Sequence, residues 1–203
     1  MTESDLTHAM AWSGVLRRLS VSNAEFWEWL QTESLQVVSH ERITQWFEEL
    51  SGKSVADACL DMTQCKKVLR LLRKRTFYCL MVRDLSGQAK LEEVVGGMTV
   101  LADLCITHAY RTVIQDLTPI HGMPKDPMTG LPQEMIIIGM GKLGGYELNV
   151  SSDIDLVMLY GEEGETDGPR PISHHEFYAR TTRKMMPLLS EANEDGQVFR
   201  TDL

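Results

Sequence analysis

Residues 138–157 read IGMGKLGGYELNVSSDIDLV, and this stretch decides the fold. It begins at the end of the apolar, β-branched run Met135–Ile138, turns through glycines, and enters a second apolar run, Ile154–Tyr160. Each run has the length and composition of a buried strand. Asp153 and Asp155 stand two positions apart on the second, and side chains at i and i+2 of a strand share a face. Two carboxylates at one place repel unless a cation lies between them, and hard oxygen donors suit Mg²⁺. Gly144 and Gly145 let backbone approach phosphate oxygens without an intervening Cβ. Metal-bound phosphate held beside a nucleophile is the equipment of phosphoryl or nucleotidyl transfer. A third carboxylate normally completes such a site, and Asp202, in the run 197–203 that reads as another strand, is the candidate. Spacing alone does not set that run beside 154–160.

Each part has an ordinary alternative. An isolated D-x-D in an acidic chain is usually a solvated strand edge; the glycine turn and flanking strands reverse that preference here. Lys142 and Arg200 can meet phosphate or simply face solvent. Two competing glycine motifs fail. Gly139–Gly144 fits G-x-G-x-x-G, but a new strand begins ten residues after Gly144, leaving no room for the crossover helix of a dinucleotide fold. A P-loop needs Ser or Thr after its lysine, and Leu143 follows Lys142.

Outward from this core the texture changes. Residues 1–120 read as helices: one capped by Ser22 or Asn23 and running through Phe26, Trp27 and Leu30; one through Ile43, Trp46, Phe47 and Leu50; one over 54–85, ending at Ser86-Gly87; and one over 91–117. The last carries Leu91, Val94, Val95, Met98, Leu101, Leu104, Cys105 and Ala109 as one apolar stripe. Residues 121–133, broken by Gly122, Pro124, Pro127, Gly130 and Pro132, read as a linker. The third segment, 134–203, adds a helix over 173–192 with Ser173 and Glu176 at capping-box spacing. The fold class expected is α+β: a helical N-terminal segment followed by a mixed sheet with flanking helices.

The chain carries 29 acidic and 20 basic residues, a net charge of −9 over 203 residues, which disfavours nucleic acid as a partner. The run of Lys66, Lys67, Arg70, Arg73, Lys74 and Arg75 therefore reads as a solvated or protein-docking face. No apolar run is long enough for a bilayer, so no membrane is expected. The first ten residues have no leader pattern. Cys59, Cys65, Cys79 and Cys105 fall in predicted helices without C-x-x-C spacing, and read as free thiols of a cytoplasmic protein. His174-His175 reads as surface or packing, not as metal ligands.

The segments 139–145 and 148–156 closely resemble the signature of the glutamine synthetase adenylyltransferase/adenylyl-removing enzyme family. Residues 82–87 (VRDLSG), the Gly122/Pro124 loop, 170–173, 175–177 and 198–203 (VFRTDL) are similar as well. The resemblance implies a nucleotidyltransferase fold, cut short at Leu203, where the family continues. It implies Mg²⁺ on Asp153, Asp155 and Asp202, and phosphate contacts from Gly144, Gly145 and Ser152, with Lys142 nearby. Family members carry two such domains: one removes AMP from a tyrosine of glutamine synthetase by phosphorolysis, giving ADP, and the other attaches AMP from ATP. The sequence 149–155 (NVSSDID) and the helical leader resemble the removing half. Tyr146 stands where the family usually has a basic residue. Glutamine synthetase and a PII-type nitrogen sensor are the implied partners. The alternative is a docking module for either of them that does no chemistry.

Overall fold

The computed structural model describes residues 3–203; the sequence reading of the first ten residues for a leader falls partly on Met1 and Thr2, which lie outside the described residues. The chain runs α1 (Glu3–Trp12), α2 (Gly14–Ser22), α3 (Ala24–Glu33), α4 (His40–Ser51), α5 (Met62–Leu85) and α6 (Leu91–His121). Then follow β1 (Ile136–Gly139), α7 (Gly141–Gly144), β2 (Ile154–Leu159), α8 (His174–Ser190) and β3 (Thr201–Asp202). This is the expected α+β class, with a helical N-terminal part and a mixed three-stranded sheet in the order β1-β2-β3. Among the described residues no helix is long and apolar enough to cross a membrane.

The helix starts follow local capping. Asn23 Oδ1 accepts from the Phe26 amide and Ser173 Oγ from the Glu176 amide, each satisfying an N–H with no partner in the first turn. Glu176 does not reach back to complete a capping box; it pairs with Arg180 at 2.6 Å. The helix expected over 54–85 begins at Met62, because Asp61 accepts from the Gln64 amide at 2.8 Å and sets the N-terminus there. At its other end Gly87 takes φ +71, as its place after the last turn requires. Helix α6 runs four residues past its expected end, with Pro119 inside its final turn.

The two long helices form the spine. Leu69, Leu72, Cys79 and Leu80 of α5 and Met98, Leu101 and Cys105 of α6 are fully buried, with Trp46 and Phe47 of α4 against them. Burying side chains of this size contributes about 1.5–3 kcal/mol each. Leu91, expected in the α6 stripe, is exposed at the first residue of the helix. One continuous core joins these helices to Phe177, Met185 and Leu189 of α8 and to Ile154, Leu156, Val198 and Phe199 around the sheet.

The VRDLSG motif has a structural role. Arg83 makes a two-pronged pair with Glu93, Nε–Oε1 2.5 Å and Nη2–Oε2 3.0 Å, and also donates to the Ser34 carbonyl. This ties the end of α5 to the start of α6 and to the segment after α3.

Three readings change. The basic run is not a solvated face: Arg70 is fully buried against the end of α8, and Arg73 is largely enclosed against the segments entering β2 and β3. Apart from Lys66, one turn before Arg70, their carbonyl partners are remote in sequence, which charge patterning does not reveal. Cys59 lies outside any helix and is exposed, whereas Cys65, Cys79 and Cys105 are buried. The strand expected over 197–203 shrinks to Thr201–Asp202, because the Val198 and Phe199 amides donate to the Leu189 carbonyl instead of to a strand.

Candidate active site

Strands β1 and β2 pair antiparallel, with Ile138 opposite Val157 and Ile136 opposite Leu159. Strand β3 lies on the other side of β2 and runs parallel to it, with Ile154 opposite Thr201 and Asp155 opposite Asp202. Alternation sorts the faces. Ile154 and Leu156 point into the core, while Asp155, Val157 and Leu159 are exposed. Register partners share a face, so Asp155 and Asp202 lie side by side on the open one. Neighbouring strands are about 4.8 Å apart. Two carboxylates at that separation repel by roughly 1–3 kcal/mol, depending on how water-like the surroundings are. A cation between them removes that cost.

Asp153 precedes β2 and is half-buried. Its carboxylate accepts from Arg200 Nε, and Arg200 Nη2 donates to the Ser151 carbonyl at 3.1 Å. Both side chains of the pair remain open to solvent, 40% for Asp153 and 64% for Arg200, so the pair can part. The loop before them is shaped by Asn149, whose Oδ1 accepts from both the amide and the hydroxyl of Ser151. Ser152 Oγ is buried without a hydrogen-bond partner. Among the described residues no three Asp, Glu, His or Cys side chains are gathered closely enough to hold a metal ion together. The structure therefore unites Asp155 with Asp202 and leaves Asp153 on Arg200.

The glycine turn abuts this pair. Met140 N donates to the Asp155 carbonyl at 2.8 Å, fastening the turn to β2. Gly141 has φ +51, and a Cβ there would lie 2.6 Å from Asp155 Oδ2. The Asp155 carboxylate thus rests against bare glycine backbone. A Cβ on Gly144 would come within 2.5 Å of the Gly139 carbonyl. The amides of Gly144 and Gly145 donate to the carbonyls of Met140 and Gly141, so they are spent inside the turn and not presented to a ligand. Tyr146 closes the turn at φ +57, a conformation that costs a non-glycine residue about 1 kcal/mol or more. Lys142, Gly144, Gly145 and Tyr146 are all exposed.

Sequence reasoning missed Arg73. It donates from Nε to the Val198 carbonyl at 2.8 Å and from Nη2 to the Val150 carbonyl at 3.0 Å. Its guanidinium lies over the rings of Phe77 and Phe199, 4.7 and 5.2 Å from their centroids. Burial lowers its pKa from 12.5 to about 10, so it remains cationic at neutral pH.

A glycine turn between two antiparallel strands, with Asp155 on the second and Asp202 on a parallel neighbour, is the arrangement the geometry supplies. A sequence model of the glutamate-ammonia ligase adenylyltransferase family matches residues 4–203. The chain belongs to that family. It is 59% identical over 195 residues to a protein of Bordetella pertussis named bifunctional glutamine synthetase adenylyltransferase/adenylyl-removing enzyme, covering 96% of this chain and 21% of that protein. Proteins of the same name from Ralstonia nicotianae and Nitrosomonas eutropha are 41% and 40% identical, over 98% of this chain and 20% and 21% of theirs. The chain spans about a fifth of the length of these relatives.

Proposed function

We propose that this chain supplies the adenylyl-removing site of a glutamine synthetase adenylyltransferase. The observation that carries the proposal is the register pairing of Asp155 with Asp202 on one exposed face, beside a turn that keeps that face free of Cβ atoms. The two carboxylates and their hard oxygens fit Mg²⁺, and Asp153 completes the set once its carboxylate leaves Arg200. The bound ion would neutralise charge that develops on the phosphoryl oxygens.

The reaction is phosphorolysis. An oxygen of inorganic phosphate forms a bond to the AMP phosphorus, the bond from that phosphorus to the tyrosine oxygen breaks, and the tyrosine oxygen takes up a proton. The products are ADP and unmodified glutamine synthetase. Exposed Lys142 on the glycine turn is the group that would meet the phosphate, since the Gly144 and Gly145 amides are bonded within the turn. The same sheet face continues into Ile136, Ile138, Val157 and Leu159, all at least 39% exposed. Apolar surface contiguous with the carboxylates suits a protein substrate. Attachment of AMP from ATP elsewhere in a longer protein, control by a PII-type sensor, and a cytoplasmic location belong to the same proposal and rest on family membership.

The test is phosphate-dependent release of ADP from adenylylated glutamine synthetase in the presence of Mg²⁺. Asp155→Asn and Asp202→Asn should each reduce the rate at least a hundredfold. Full activity in both variants would refute the assignment and leave the docking-module reading.

A further inference from the structure

We infer that Arg73, on the helical segment, is a positioning residue that sets the spacing of the carboxylates on β2 and β3; the inference rests on the metal-site reading above. The argument begins with where its two carbonyl partners lie. Val150 stands three residues before Asp153, on the loop that feeds β2, and Val198 stands four residues before Asp202, on the segment that feeds β3. One guanidinium joins both, using Nε and Nη2 along a single edge of its fork. The strands themselves share only a short parallel pairing, Ile154 with Thr201 and Asp155 with Asp202. So brief a ladder does not hold a register by itself, and β3 is also drawn toward α8 through the Leu189 carbonyl. Exposed Arg200 ties the two entering segments at the surface through Asp153 and the Ser151 carbonyl; Arg73 ties them on the core side, while the carboxylates lie on the open side.

The chemistry at this position requires arginine. The fork reaches two carbonyls on separate segments at once, and its flat faces lie against Phe77 and Phe199. A lysine ammonium is a point donor: it keeps the charge but cannot hold both carbonyls in that fixed arrangement. Arg70, one turn earlier on α5, provides the contrast. It is fully buried and donates to the carbonyl of Lys66 on its own helix and to those of Pro187, Leu188, Glu191 and Gly196, at the end of α8 and in the turn beyond it. Glu191 and Gly196 lie on the connection from α8 to β3, but none of those carbonyls lies on the loop entering β2, so Arg70 does not join the two segments. The two arginines therefore separate general anchoring from setting the carboxylate gap.

The experiment measures Mn²⁺ binding to the purified chain by the electron paramagnetic resonance signal of free Mn²⁺, beside thermal unfolding, for wild type, Arg73→Lys and Arg70→Lys. Arg73→Lys should weaken Mn²⁺ binding tenfold or more. Arg70→Lys should lower the unfolding temperature and leave Mn²⁺ affinity within twofold of wild type. If Arg73→Lys does not fold, Arg73→Gln, which keeps a planar donor on a shorter stem, is read by the same criterion. Mn²⁺ affinity unchanged in the Arg73 variant, or weakened equally in the Arg70 variant, overturns the inference while leaving the carboxylate site standing. A wild-type chain that binds no Mn²⁺, or binds it equally well as Asp155→Asn, overturns the metal-site reading and this inference with it.

Discussion

Asp155 and Asp202 are register partners across the parallel pairing of β2 and β3, side by side on the exposed face of the sheet. Like charges directly opposite one another destabilise a sheet. A fold that keeps them there carries a cost that the proposed cation would remove, and several consequences can be measured.

On the proposed metal site, Arg200 would compete with the cation for Asp153. Exposed ion pairs are worth about 0.2–1 kcal/mol, which corresponds to up to about a fivefold change in affinity. Arg200→Ala should therefore tighten Mn²⁺ binding by about twofold to fivefold in a calorimetric titration. Weaker binding would mean that Arg200 holds Asp153 in place for the metal instead of away from it.

Gly141→Ala should damage site and fold together. The residue sits at φ +51, and the new methyl would press on Asp155 Oδ2. Loss of about 1–2 kcal/mol in urea unfolding is expected from backbone conformation alone, together with weaker Mn²⁺ binding. Gly145→Ala, at φ −84 with its closest new contact at 3.4 Å, should cost less than about 1 kcal/mol and is the control.

Stability should fall as the solution is acidified below neutrality. The His108 ring stacks on Phe47 at 4.1 Å with Nε2 buried and unpartnered. Burial, with Arg111 adding to it, pulls its pKa down from 6.5 to about 4. Between those values the unfolded chain binds a proton that the native chain does not, so stability is full above pH 6.5 and lost as pH falls toward 4. The contribution is on the order of 2–3 kcal/mol. His108→Phe should flatten that part of the pH dependence of unfolding; an unchanged slope would assign it to other groups.

Thiol chemistry should single out Cys59. Burial pushes the Cys65 thiol up to about 11 and those of Cys79 and Cys105 higher still, while Cys59 is exposed. A thiol reagent at pH ~8 should modify one equivalent rapidly in the native chain and four after unfolding. Rapid modification of more than one would indicate that the helical core opens readily.

The parts of this molecule that sequence revealed are the ones encoded locally. The glycine turn between two apolar runs, the D-x-D, Asn23 and Ser173 as caps, and Gly87 after α5 each depend on residues within a few positions. What escaped depends on distant chain. Nothing near Asp202 states that it lies beside Asp155, because a parallel pairing is brought about by the whole intervening helix α8 and its packing. Arg70 and Arg73 read as surface charge because their carbonyl partners, Lys66 apart, lie on the far side of the sequence. The start of α5 was legible in principle: Asp61 three residues before Gln64 is a cap, although Ser54 offers an equally plausible one from sequence alone.

The most direct measurement is a crystal of the chain soaked in Mn²⁺, examined by anomalous scattering. A peak within about 2.0–2.4 Å of carboxylate oxygens from both Asp155 and Asp202 is the predicted result, with Asp153 released from Arg200. A map with no peak between those two side chains at saturating Mn²⁺, or with both carboxylates turned onto protein cations, would contradict the account.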